Sequence, residues 1–209
     1  MGHILKMEPF KNHRGLIATL DRANVDTDQI IPKQFLKSIA RTGFGEHLFH
    51  DWRYLPDGRP NPDFELNAPP FTGASILVAR KNFGCGSSRE HAVWAIQQHG
   101  FKTVIAPLLA DIFRNNSTKN GLLTVELAEA EVEEIFQMVG RYRGLEATVN
   151  LNEQRVTLHL PEEISFHFEI DAAVKMHLIR GLDEIGLTLQ REHAIAAFET
   201  RHDPQWIRE

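Results

Sequence analysis

Residues 74–106 read ASILVARKNFGCGSSREHAVWAIQQHGFKTVIA. Residues 74–79 are a near-continuous apolar run, the pattern of a strand covered on both faces. Residues 80–88 form a loop carrying two glycines. Residues 89–99 place apolar side chains at 92, 93 and 96 and then meet Gly100, a residue suited to ending a helix, so a helix is predicted there. Residues 103–106 are a second buried strand. A strand–loop–helix–strand unit is expected to cross over right-handedly, which makes its two strands parallel. The fold class is therefore α/β.

On the N-terminal side, residues 15–20 (GLIATL) predict another strand, followed by an Asp- and Asn-rich turn at 21–28. Residues 29–39 have a rough helical period interrupted by Pro32. Residues 41–70 are irregular and rich in Gly, Pro and Asn. A stretch that long is usually functional or disordered, and its aromatics (Phe44, Phe49, Trp52, Tyr54, Phe64) argue against disorder. It is expected to be mobile in the isolated chain and to order against a partner or substrate. On the C-terminal side a helix is predicted at Asp111–Asn120, stopped by Gly121, and an acidic amphipathic helix at 128–139. The period then changes to two. Residues 146–151 and 155–160 read as a hairpin, and 164–170 as a third strand. Helices at Ala172–Arg180 and about 191–201 close the chain. The expectation is a single domain over 1–209, with 41–70 as an irregular insertion.

Composition narrows the function. The 209 residues carry a net charge of −5 and no Lys/Arg block, which disfavours nucleic acid as partner. No apolar run approaches the roughly 20 residues of a membrane span, and the N-terminus does not read as a secretory signal. A cytoplasmic location is expected. The single cysteine, Cys85, excludes an intramolecular disulfide and any cluster of about four thiolates built by this chain alone. His47 and His50 lie close in sequence, but no third ligand completes a zinc set, so they read as an exposed loop pair.

The loop Asn82-Phe83-Gly84-Cys85-Gly86-Ser87-Ser88-Arg89-Glu90-His91 carries the most chemistry. Its glycines allow a tight turn and close approach of a ligand. The following helix start points free N–H groups at the same space, and Arg89 has the planar fork that grips a carboxylate. Such a place suits an anion, or a deprotonated serine acting as base. The same residues also read as a capping box, Ser87 with Glu90, or as an N-cap at Ser88. Cys85 reads as a small buried hydrophobe or, less readily, a nucleophile. Asp26 and Asp28 could bind a cation, act as an acid–base pair, or form an Asx-turn and an N-cap. Residues 110–121 (ADIFRNNSTKNG) are polar for a helix and read as an exposed face.

Four segments together, NVDTDQIIPKQFL, FGCGSSREHAVWAI, ADIFRNNSTKNGLL and GLDEIGLTL, resemble the small subunits of bacterial isopropylmalate isomerase, or 3-isopropylmalate dehydratase. The likeness runs along nearly the whole chain in order. These subunits are similar to the swivelling β/β/α domain of aconitases, so the resemblance implies that fold. It also implies a hydro-lyase of leucine biosynthesis, converting 2-isopropylmalate to 3-isopropylmalate by dehydration and rehydration. The implied cofactor is a [4Fe–4S] cluster carried by a large-subunit partner, with none held by this chain. By the same resemblance Ser87 is the base, Ser88 and Arg89 bind the substrate anion, and Thr27 and Asp28 stand beside the site. Residues 33–42 are implied in specificity. A sister hydro-lyase subunit and a non-catalytic anion-binding module remain the competing readings.

Overall fold

The computed structural model describes residues 7–37, 41–181 and 192–201. β2 (Ile76–Ala79) is buried at all four positions and leads through the glycine loop into α3 (Glu90–His99) and on to β3 (Thr103–Ala106), equally buried. β2 and β3 pair in parallel, Ile76 opposite Thr103 and Val78 opposite Ile105. β1 (Asn12–Leu20) runs parallel along the other edge of β2, Ile17 opposite Ile76. Burial on both faces is what made 74–79 and 103–106 read as solid apolar runs. A second unit of the same kind follows, α4 (Asp111–Asn120) leading to β4 (Leu123–Glu126), parallel to β3. β4 went unforeseen. It alternates buried and half-buried positions over only four residues, so no apolar block marks it.

After α5 (Glu129–Arg141) the pairing reverses. β5 (Glu146–Asn150) lies antiparallel to β1, and β6 (Arg155–Leu158) and β7 (Ile164–His167) continue the meander. The strand order is β4-β3-β2-β1-β5-β6-β7, so β1 is the seam between a parallel and an antiparallel half. α6 (Ala172–Arg180) and a helix at Glu192–Arg201 follow. The mixed α/β expectation holds. Gly100, Gly121 and Gly181 end α3, α4 and α6 with left-handed backbone, as their positions forecast. Apart from Gly181, the motif GLDEIGLTL lies outside the described residues.

Two apolar layers flank the sheet. Ile17, Ile76, Val78 and Ile105 meet α5 and the inner faces of β5–β7 on one side. Ala18, Leu20, Leu77 and Ala79 meet α3 and the segment between β1 and β2 on the other. That segment departs from expectation. Its backbone is irregular, built of short turns including α1 (Thr27–Ile30), α2 (His50–Arg53) and 3-10 turns at Gly45–His47 and Glu65–Asn67. It is nevertheless not a free loop awaiting a partner: Phe44, Leu48, Phe49, Phe64 and Leu66 are buried in the core. Each large apolar side chain buried this way contributes about 1.5–3 kcal/mol, and a mobile excursion would forfeit all of them. The aromatics were the informative signal, and length alone misled. His47 and His50 pack here too, His47 stacked on Phe35 at 3.8 Å between ring centroids, rather than standing exposed. The period at 29–39 resolves into α1 and a 3-10 turn at Lys33–Lys37, divided by Pro32. Among the described residues no helix is long and apolar enough to cross a membrane.

Candidate active site

Three connections leave the carboxyl ends of β1, β2 and β3 on the same side of the sheet and are stitched together. The amide of Gly84 donates to the Val25 carbonyl at 2.7 Å, and that of Thr27 to the Cys85 carbonyl at 2.9 Å. On the far side Phe83 N–H donates to Leu108 O at 3.1 Å and Ala110 N–H to Phe83 O at 3.0 Å. The loop after β2 is thus held on both flanks, outside the carboxyl ends of parallel strands, where open α/β sheets bind ligands. Gly84 makes this possible. Its φ is +76°, and a Cβ there would lie 2.3 Å from Cγ of Phe113, so the loop passes too close to α4 for any side chain.

The five residues singled out from sequence converge here. Thr27 is buried, and its hydroxyl donates to the Ser87 carbonyl at 2.9 Å, fixing the backbone of that serine. Asp28 accepts a hydrogen bond from Arg89 Nη1, while Lys33 Nζ stands 3.7 Å from its other oxygen. Ser88 Oγ accepts from Asn116 Nδ2 at 3.3 Å. Ser87 is exposed, and its hydroxyl makes no hydrogen bond to any described residue. The capping reading fails, because α3 starts at Glu90 with Arg89 as its N-cap residue and no side-chain cap. The first-turn N–H groups of α3 are therefore not taken up by a side-chain cap. A capping box does form one segment away, where Asp26 accepts from Gln29 N–H at 2.8 Å and Gln29 Oε1 accepts from Asp26 N–H at 2.9 Å. The two aspartates thus divide: Asp26 caps α1, and Asp28 pairs with Arg89.

Electrostatics follow from this geometry. The hydrogen bond from Arg89 is the main cause holding the Asp28 carboxyl below its ordinary value, ahead of the opposing effect of burial. A depressed carboxyl contributes its interaction above the ordinary value and loses it only as pH falls through the lowered one. The Asp28–Arg89 pair is therefore expected to persist through the usual carboxylate range. Carboxyl carbon NMR titration checks this: Asp28 should titrate below a typical aspartate, and Arg89→Met should bring it back up. Burial, followed by the nearby Asp26, pushes the Cys85 thiol up, so the thiolate a nucleophile needs is disfavoured. Asn116 was missed, although it lies in one of the four motifs. A run of Asn, Ser and Thr is a poor helix former, and that was the available signal. Asn120 completes the polar face, donating to Glu90 Oε1 at 3.0 Å and accepting from Trp94 Nε1 at 2.9 Å.

Comparison with known proteins bears on the family and the fold. Residues 7–130 match the family model of the aconitase C-terminal domain, and residues 184–206 match that of the C-terminal domain of the 3-isopropylmalate dehydratase small subunit. A 3-isopropylmalate dehydratase small subunit from Desulforapulum autotrophicum is 54% identical over 211 residues, covering 96% of this chain and 98% of its own. The chain belongs to the 3-isopropylmalate dehydratase small-subunit family. The crystal structure of a 3-isopropylmalate dehydratase from Methanocaldococcus jannaschii shares the fold, with a TM-score of 0.65 at 22% identity, covering 89% of this chain and 98% of that one. The resemblance read from the four motifs is upheld. The aconitase connection raises the matter of an iron–sulfur cluster, and the donor set does not fit one. Cys85 is the single cysteine, and among the described residues no three His, Cys, Asp or Glu side chains gather into a metal site.

Proposed function

We propose that this small subunit of 3-isopropylmalate dehydratase supplies the proton-taking and carboxylate-holding half of an active site completed by an iron–sulfur large subunit. The observation that carries the reading is Ser87 itself: exposed, its hydroxyl without a hydrogen bond among the described residues, and its backbone held by Thr27 beside an uncapped helix start and an arginine. Ser87 Oγ, as alkoxide, takes the proton from the carbon next to the hydroxyl-bearing carbon of 2-isopropylmalate. The C–H electron pair becomes the C=C bond of isopropylmaleate as hydroxide departs, and rehydration with the opposite orientation gives 3-isopropylmalate. The α3 N–H groups and Arg89 favour the negative charge at Ser87 and on a substrate carboxylate. Asp28 orients Arg89, Ser88 offers a further hydrogen bond, and Thr27 fixes the loop. The group that assists hydroxide departure falls to the partner chain. Leu108 and Ile112, roughly half exposed at 52% and 49%, flank the loop and suit a partner surface.

The isolated chain is expected to show no isomerisation, and turnover should appear on mixing it anaerobically with a cluster-loaded large subunit. Full turnover by this chain alone would overturn the subunit assignment. The same pair assayed with other 2-hydroxy diacids separates isopropylmalate from a sister substrate.

A further inference from the structure

A second feature lies at the opposite end of the parallel strands, near the residues that precede β2 and β3. An open pocket of about 280 Å³ is lined by Arg53, Asn67, Thr72, Gly73, His99 and Phe101. Arg53, the last residue of α2, is only 8% exposed. Three other arginines of this half have carboxylate partners: Arg22 with Glu65, Arg80 with Asp21 and Glu133, Arg89 with Asp28; Arg41 instead lies over the Trp94 ring. Arg53 has none among the described residues. Among the described residues its guanidinium contacts the two ring nitrogens of His99, Nη1 to Nδ1 at 3.1 Å and Nη2 to Nε2 at 2.8 Å.

That arrangement leaves the guanidinium short of acceptors. Burial, then the charge of Arg53, lowers the His99 pKa to about 4, so the ring is neutral near pH 7. A neutral imidazole has one acceptor nitrogen, and so only one of the two facing N–H groups can be satisfied by it. A buried cation without a counter-charge is strongly unfavourable, yet this one borders a pocket large enough for several waters or one small ion.

We infer that Arg53 and the pocket it borders form a binding site for a small oxyanion, a carboxylate or a sulfate-like ion, distinct from the candidate active site. The flat fork of the guanidinium matches the paired oxygens of either, while Asn67 at the pocket wall holds the Arg53 backbone, donating to the Arg53 and Asn61 carbonyls at 2.7 and 2.9 Å. An occupant there ties α2, and with it the irregular segment between β1 and β2, to the last turn of α3.

The test uses the full chain, titrated with sodium sulfate or sodium acetate at constant ionic strength made up with sodium chloride. The readouts are the His99 ring nitrogen resonances and the melting temperature. One of the two anions should shift His99 saturably and raise the melting temperature by about 5–10 °C at a hundredfold excess over its dissociation constant. The sulfate and acetate arms say which oxyanion the pocket takes. Arg53→Met should abolish both responses while melting no lower than the parent in chloride alone, since an apolar side chain of similar size removes the unpaired charge. An unmoved His99 in both salts overturns the assignment, as does a saturable response that survives Arg53→Met. Should that variant fail to fold, His99→Phe keeps the guanidinium and decides: a saturable rise in melting temperature supports the site, and its absence overturns it.

Discussion

Replacing Ser87 by alanine is expected to lower turnover of the assembled enzyme by roughly 10²–10⁴-fold, the usual contribution of a positioned proton acceptor. Stability should hardly move. The hydroxyl is exposed and makes no hydrogen bond to a described residue, so the change belongs with surface substitutions that stay within about 0.5 kcal/mol. A helix cap would behave in the opposite way, costing about 0.5–2 kcal/mol on removal and leaving turnover alone. Steady-state kinetics of the reconstituted pair, measured beside the melting temperature of the isolated chain, separates the two. Arg89→Lys offers a contrast, because it keeps the charge but loses the planar fork. Substrate binding should weaken there, with turnover falling only as far as the alkoxide depends on the guanidinium.

A large loss of stability is expected when Gly84 is replaced by alanine. A Cβ would collide with the Phe113 ring 2.3 Å away, in a backbone region that L-residues disfavour. Overpacking costs about 1–3 kcal/mol and left-handed backbone about 1–2 kcal/mol. Together they amount to about 2–5 kcal/mol, or roughly 4–20 °C in melting temperature for a chain of this size. Gly86 is the control. Its φ is also positive, at +90°, but its Cβ would meet Asp26 Cβ at an ordinary 3.5 Å. Gly86→Ala should therefore lose only the backbone part. Equal destabilisation by the two alanines, read from thermal melts, would show that the approach of the loop to α4 is looser than described.

How much of this was legible in the sequence varied by element. The unit from β2 to β3 was clear because burial on both faces leaves a continuous apolar run and Gly100 marks the helix end. β4 was hidden because an alternating run of four residues beside a helix stop has no distinctive period. The segment 41–70 was mistaken for a mobile excursion, since irregular backbone looks alike in sequence whether or not its aromatics reach a core. In the site, Ser87, Ser88 and Arg89 stood out as a motif, whereas their relation to Thr27 and Asp28 spans about sixty residues. No local pattern encodes that relation; only the pairing of β1 with β2 brings it about. Arg53 carried no signal at all, because its isolation from carboxylates is a property of the packed chain.

Ser87 is proposed to take the carbon-bound proton in a site shared with another chain, and exchange of that proton in D2O reads this step itself. The chain, reconstituted with a cluster-loaded large subunit, should wash deuterium into recovered 2-isopropylmalate, followed by mass spectrometry. With Ser87→Ala the complex should still assemble, while exchange drops by roughly the same 10²–10⁴-fold as turnover. An assembled Ser87→Ala enzyme exchanging at the parent rate would refute the assignment and move the base to another residue.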